Sequence, residues 1–586
     1  MDSICIVRES LKGYPNANEK FRPSKAYPEY LFEGEVSRQE NVVYDMIRNG
    51  FKMLKLDETH FGLSEWNPLG ELIHPGDTVL LKPNLVLHVN RSECGTDCLY
   101  THPSLVAALI DYVAIALKGT GRIIVGDAPV QECEFDKLIK QSGYDVLCEF
   151  YRKKGIDIEL IDFRNVKTYE KNGLHYFQED EGENGCIVQL NEESAFSDIE
   201  NEKMRNLRIT NYDPRILQQH HYGTIHEYKV SKYVLDADVV INIPKPKTHR
   251  KAGVTISLKN LVGINANKEF LPHHTLGSKE EGGDAYLHEN DLLKMANEIL
   301  DIKNQLVQDR EMDLAEMAEN LYRATYDRGR RQTNEEYWEG SWYGNDTIWR
   351  TVLDLNRIFL YADKQGRMQR ECQRRMFIVG DMIVSGEKEG PLWPTPIYPG
   401  TIVMGYDPVK FDRVVCSLMG FDYRKVPTLY NDELMGRKYP ISDGSGLTII
   451  SNNMDWHEKE LDEIRECKSF EFQPSSGWTI KLGNRYRDKL CARLRNNAQD
   501  VYIFGAGVNG IYAARELQMR GIQIAAFCDN NSDLWGQEIL PGIKCISLDG
   551  ADINKPFILA LREKNVQMLT GQIEERGGVV WGVINK

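Results

Sequence analysis

Val239-Val-Ile-Asn-Ile-Pro-Lys-Pro-Lys-Thr-His249-Arg-Lys-Ala-Gly-Val-Thr-Ile-Ser-Leu-Lys259-Asn-Leu-Val-Gly263 sets a run of strand-forming apolar residues directly before lysines, a histidine and a group of threonine and serine. Residues 236–243 read as a continuous apolar strand of the kind that parallel sheets bury on both faces. Pro244 and Pro246 then impose an extended exit, so Lys245 and Lys247 sit on stiff backbone. Outward from this segment, apolar runs alternate with amphipathic helical patterns over the first 425 residues. That alternation predicts an α/β fold with a largely parallel sheet and helices on both faces. Strands are expected at 3–7, 78–81, 122–125, 157–161, 239–243, 376–380 and 401–405, and helices at 40–56, 103–117 and 135–154.

A chain of 586 residues exceeds one hydrophobic core, so several domains are expected. We divide it into a core domain over 1–425, a connecting region over 426–497 and a small α/β domain over 498–586. Residues 278–345 interrupt the core with a charged helical insertion in which Leu292, Leu293, Met295, Ala296, Ile299, Leu300 and Ile302 recur at helical spacing. Packing or contact within a homo-oligomer is the role expected of it. The segment Trp338–Trp349 is rich in aromatics and glycine, which suits either a plug over the sheet or a roof that stacks a sugar or base.

A net charge of −15 argues against nucleic acid as a partner, because a basic face is needed to release counterions. No apolar run reaches membrane-spanning length and residues 1–10 lack the pattern of a signal peptide, so no membrane insertion and a cytoplasmic location are expected. The twelve cysteines are scattered without CxxC spacing, which favours free thiols, Cys94 and Cys98 included.

In open parallel sheets ligands bind beyond the carboxyl ends of the strands. Six predicted strands end in charged residues: Lys82, Asp127, Asp162, Lys245 with Lys247, Asp381, and Asp407. Read together they predict one shared pocket of mixed charge for a small anionic metabolite. Lys82, Asn84, Lys245 and Lys247 are the candidate grip, since ammonium groups donate to phosphate or carboxylate oxygens. Asp127, Asp381 and Asp407 are candidate ligands of a hard divalent cation such as magnesium. His249, Lys259 and Glu387 are the candidate catalytic residues for proton transfer. A lysine crowded by other cations can also act as a base or an imine-forming nucleophile. Neutralising Lys245 and Lys247 together is expected to abolish ligand binding without unfolding the protein.

The same segment, with Lys82-Pro-Asn-Leu, Thr101-His-Pro, Gly126-Asp-Ala-Pro and Val379-Gly-Asp-Met-Ile-Val-Ser-Gly-Glu-Lys-Glu-Gly-Pro391, resembles the bacterial and archaeal domain of unknown function 362 family. The likeness spans roughly residues 40–265 and 345–425, with the motifs in one order. It implies a family and no reaction.

Val501-Tyr-Ile-Phe-Gly505-Ala-Gly507-Val-Asn-Gly510 reads as a strand, a GxGxxG turn and a helix, with Asp529 closing the next strand. Gly505, Gly507, Gly510 and Asp529 therefore form a candidate nucleotide site in a Rossmann-like domain. This part resembles small nucleotide-binding-like domains attached to bacterial cell-surface sugar-modifying enzymes, which implies polysaccharide metabolism. Three functions stay open on the sequence: an enzyme acting on an anionic metabolite, a metabolite-sensing or scaffolding protein, and an NAD-dependent oxidoreductase.

Overall fold

The computed structural model describes residues 3–15, 21–171, 174–179, 184–333, 335, 337–431, 437–497 and 500–585. Its central sheet has eight strands, β1 (Ser3–Arg8), β2 (Thr78–Pro83), β3 (Arg122–Asp127), β4 (Ile158–Asp162), β5 (Val239–Ile243), β6 (Arg375–Met382), β7 (Thr401–Gly405) and β8 (Thr448–Ser451). They lie in the order β8-β1-β7-β6-β5-β2-β3-β4. β5 runs parallel to β2 and β6, β2 to β3, and β3 to β4.

The apolar run of β5 has a direct cause, because alternate residues feed two cores. Val240 joins Leu80, Ile124 and Ile378 on one face, while Val239, Ile241 and Ile243 join Val79, Leu81, Val125 and Phe377 on the other. A slip of one residue would exchange these sets, so the register is fixed by packing on both sides. Helices Val42–Met53, Pro103–Leu117 and Tyr144–Arg152 cover the second face, and Ile348–Tyr361 and Pro408–Met419 the first. The helix expected at 135–154 is two helices, Phe135–Ser142 and Tyr144–Arg152. Gly143, at φ 82°, ends the first in the left-handed conformation that glycine adopts without cost from a Cβ.

One strand direction departs from the sequence reading. β7 is antiparallel to both β6 and β1. A parallel return needs a crossover of a dozen or more residues, usually helical. Residues 383–400 instead form the hairpin Ser385–Glu389 with Trp393–Ile397. The residues after β7 therefore emerge at the opposite edge of the sheet from those after β2, β3, β5 and β6.

The insertion forms two mutually packed helices, Asp291–Gln308 and Met312–Thr333. Leu293, Ala296, Ile299 and Leu300 are buried, whereas Met295 and Ile302 are about half exposed. Trp342 is fully buried, stacks on Tyr337 and donates from Nε1 to the Asp284 carbonyl at 2.8 Å, so the aromatic segment is a plug. Residues 426–497 supply β8 and send Trp478 Nε1 to the Arg250 carbonyl at 2.9 Å. A second sheet near the carboxyl end takes the order Glu538–Leu540, Ile543–Ile546, Gln523–Cys528, Asp500–Phe504, Phe557–Leu559, Val580–Val583. All its pairings are parallel except that of Glu538–Leu540, and its cores are separate from those of the central sheet.

Candidate functional site

Pro244 and Pro246 carry the chain from β5 into the short strand Lys247–His249, which pairs antiparallel with Gly253–Thr255 and touches Ser385–Glu389 at Lys247. This turn lays the segment along a cavity of about 340 Å³. Asn84 and Asp127 reach it from the ends of β2 and β3, and Thr168, His175, Phe177 and residues 209–212 form part of the remaining wall. The long connection between β4 and β5 thus encloses the site.

Four lysines line the cavity: Lys247, Lys251, Lys259 and Lys268. Lys247 Nζ donates to Asn84 Oδ1 at 2.6 Å and to the Leu99 carbonyl. Lys251 Nζ meets the Glu339 carbonyl, and Lys268 Nζ the Ala128 carbonyl at 2.9 Å. Among the described residues Lys259 Nζ has no hydrogen-bond or ion-pair partner. Asn84 is oriented by a polar chain, since its Nδ2 donates to Asn260 Oδ1 at 3.1 Å and Asn260 Nδ2 to Asn242 Oδ1 at 2.7 Å.

With no carboxylate paired to them among the described residues, these ammonium groups titrate early. Burial, reinforced by Lys245, brings Lys247 down to about 7. Burial likewise brings Lys268 to about 7, with Asp127 opposing. Burial brings Lys251 to about 8, and burial with the nearby Lys251 brings Lys259 to about 8.

Two of the three lining histidines, His249 and His273, present opposite polarity to the cavity. His249 Nδ1 accepts the backbone N–H groups of Lys251 and Ala252 at 3.0 and 3.1 Å, so the neutral ring carries its proton on Nε2. His273 Nδ1 donates to the Leu271 carbonyl at 2.6 Å, which leaves Nε2 as an unprotonated acceptor. Burial and the neighbouring lysines, Lys259 foremost, hold His249 well below its ordinary value and His273 at about 3. His249 is thus a hydrogen-bond donor to the cavity. Of the two directions of proton transfer expected of it, this geometry leaves His249 the donating one, because the Nδ1 lone pair is already occupied.

The remaining predicted residues divide. Lys82 and Asp127 form an ion pair at 2.7 Å, and the Asp127 oxygens also accept from Leu85 N and Ala128 N at 2.6 and 2.8 Å. Lys245 and Asp381 pair at 3.0 Å with both side chains fully buried. Asp381 further accepts from Tyr14 OH at 2.6 Å and His102 N at 2.9 Å. Lys82 and Lys245 are therefore held by internal carboxylates, and neither is among the residues lining the cavity. Asp407 caps the helix Pro408–Met419, accepting from Val409 N and Lys410 N at 2.9 Å, at the far edge of the sheet that the reversal of β7 creates. Asp127, Asp381 and Asp407 do not converge. Among the described residues no three His, Cys, Asp or Glu side chains are placed to share a metal ion, so the magnesium reading of this set is corrected. Glu387 lies outside the cavity and accepts from Gln473 N and Nε2 at 2.8 and 3.1 Å, anchoring a neighbouring segment.

Lys251, Lys268 and His273 were not singled out in the sequence. The signal was present as a density of lysine and histidine from 245 to 274, but only the fold shows which of these share a cavity. A model of the family described as domain of unknown function (DUF362) matches residues 79–180 and 189–417, more than half of the chain and every element that contributes to the cavity. The chain belongs to the DUF362 family. A curated relative, the thylakoid-associated protein sll1697 of Synechocystis sp. (strain ATCC 27184 / PCC 6803 / Kazusa), is 28% identical over 212 residues, which is 36% of this chain and 46% of that protein. The DUF362 chain thus spans less than half the length of this relative. No solved structure matches. Among its described residues, no helix is long and apolar enough to cross a membrane.

At the second sheet, Asp529 Oδ2 accepts from Ala506 N and its Oδ1 from Asn531 N, both at 2.9 Å. A Cβ on Gly510 would lie 1.8 Å from the Gly505 carbonyl oxygen, and Gly505 itself has φ 109°. Both glycines are thus required by the chain's own packing. A Cβ on Gly507 would meet nothing within 4 Å, so this glycine answers no internal demand.

Proposed function

We propose that the DUF362 cavity binds a small metabolite bearing phosphate or carboxylate groups. The observation that carries this reading is four lysine ammonium groups on one cavity with, among the described residues, no carboxylate paired to any of them. Holding like charges together out of water is costly unless an anion completes the site. Asn84 and the Nε2–H of His249 add neutral donors that fix orientation. The partner is thus a small anion, and the acidic surface of the whole chain leaves nucleic acid a poor fit. An enzyme and a metabolite sensor both fit this site.

Glycerol 3-phosphate is expected to raise the melting temperature of the full chain in a saturable manner. Lys259→Met should weaken that binding about tenfold, the loss of one charge-assisted contact. The unliganded variant should be more stable than the parent by about 1 kcal/mol, because an apolar group replaces an unpaired cation. Equal binding by parent and variant would remove Lys259 from the site.

A second, separable reading concerns residues 498–586 as a Rossmann-like nucleotide domain, and its support is the sterically idle Gly507. Gly507→Ala is expected to leave the melting temperature unchanged and to abolish any shift produced by nucleotides or NAD. A nucleotide-dependent shift that survives the substitution would end it. The link to polysaccharide metabolism and an oligomeric contact through the helical insertion are parts of the same proposal and depend on what this domain binds.

A further inference from the structure

Lys259 differs from the other lysines of the cavity in how it is held. Its helix, Ser257–Asn260, is pinned from below, because Asp412 accepts from Ser257 N and Leu258 N at 2.8 and 3.0 Å and from the Ser257 hydroxyl. Asn260 is fixed in turn by Asn84 and Asn242. The backbone is rigid on both sides, yet the amine has no partner among the described residues. Every other lysine of the cavity spends at least one N–H on a carbonyl. A positioned amine without hydrogen-bond acceptors, among cations, is the arrangement that favours a neutral nucleophile.

We propose that Lys259 is a nucleophile that forms an imine with an aldehyde or ketone held in this cavity by its phosphate or carboxylate groups. The inference rests on the anion reading above and adds a carbonyl to the ligand. Burial and Lys251 bring Lys259 to about 8. About one molecule in ten then carries the free amine at about pH 7. Lys251 and Lys268 grip the anionic end, and His249 Nε2–H donates to the carbonyl oxygen. The amine nitrogen bonds to the carbonyl carbon, the oxygen takes up a proton, and departure of water leaves C=N. Carbonyl compound and lysine become imine and water, with no oxidant or reductant involved. The ammonium of Lys251 can supply the proton for the departing water, and the resulting Lys251 amine can recover a proton from the former Lys259 nitrogen, so the protons balance.

The test treats the full chain with glyceraldehyde 3-phosphate and borohydride, followed by intact mass and peptide mapping. Glycerol 3-phosphate, which has the anion without the carbonyl, is the competitor. One adduct is expected, on the peptide carrying Lys259, suppressed about tenfold by saturating glycerol 3-phosphate. Lys259→Arg, which keeps the charge but cannot form an imine, should retain the thermal shift with glycerol 3-phosphate and give no adduct. A thermal shift in the parent with no Lys259 adduct, or with Lys259 labelled no faster than the exposed Lys153, would end the imine proposal and leave anion binding standing. No shift with either compound and no adduct would end both.

Discussion

Asp381→Ala is expected to lower the stability of the central sheet by about 3–5 kcal/mol, because it strands the Lys245 ammonium in the interior without its counter-ion. Both side chains of the pair are fully buried, and the carboxylate accepts from Lys245, Tyr14 and the His102 backbone. Tyr14 stacks on His102 at 4.0 Å, so the loss would loosen the start of the helix Pro103–Leu117 as well. Lys245→Met should cost a similar amount by leaving Asp381 unpaired. The double variant Lys245→Met with Asp381→Leu should recover a large part of the loss, since the pair is then replaced by apolar groups. Urea unfolding followed by tryptophan fluorescence measures all three, and an Asp381→Ala midpoint equal to that of the parent would refute the argument. Neutralising Lys245 with Lys247 is therefore expected to unsettle the fold, contrary to the sequence expectation, and says little about ligand binding.

The sequence was legible where the physics is local and periodic. The run from Val239 to Ile243 reads as a doubly buried strand because apolar residues on both sides of the pleat need two cores, and the structure supplies them. His102-Pro103 marks a helix start because the histidine ring caps it, accepting from Ser104 N at 3.2 Å. Strand direction was not legible at β7, where the absence of a helical pattern over 383–400 was the available clue. That single reversal takes Asp407 from the site to a cap at the opposite edge. Charge at a strand end also reads the same whether the group meets a ligand or another side chain. Lys82 and Lys245 find Asp127 and Asp381, while Lys247, among the described residues, finds only amide and carbonyl oxygens. The pairing partners are 45 and 136 residues away in sequence, so no spacing rule reveals them. Lys251 enters the cavity from the turn between Lys247–His249 and Gly253–Thr255, whereas Lys268 comes from the short helix Lys268–Phe270 and His273 from the irregular chain after it.

Anion binding in the cavity should be coupled to proton uptake, which gives the largest effect expected of the site itself. In the unliganded protein Lys247 and Lys268 titrate at about 7 and Lys251 and Lys259 at about 8. A bound anion favours the ammonium form and moves these groups back toward the ordinary lysine range. Between those two limits the complex holds more protons than the free protein, so binding takes protons up and weakens as pH rises. His249 and His273 are already neutral in this window, and Arg250 and Asp127 are paired with Glu389 and Lys82, so the lysines dominate the change. Sulfate keeps a constant charge over the range and should lose roughly 100-fold or more in affinity from about pH 7 to about pH 9. Stability of the unliganded protein moves the other way. Unfolded lysines keep their protons up to about pH 10.5 while the folded ones release theirs from about pH 7, so the unfolded state binds more protons and the contribution of these groups rises with pH. Sulfate should therefore raise the melting temperature strongly at about pH 7 and hardly at about pH 9, and calorimetry in buffers of different ionisation enthalpy should register more than one proton taken up per anion at about pH 8. A thermal shift of equal size across that range, with no buffer-dependent heat, would show that the four lysines do not hold the anion.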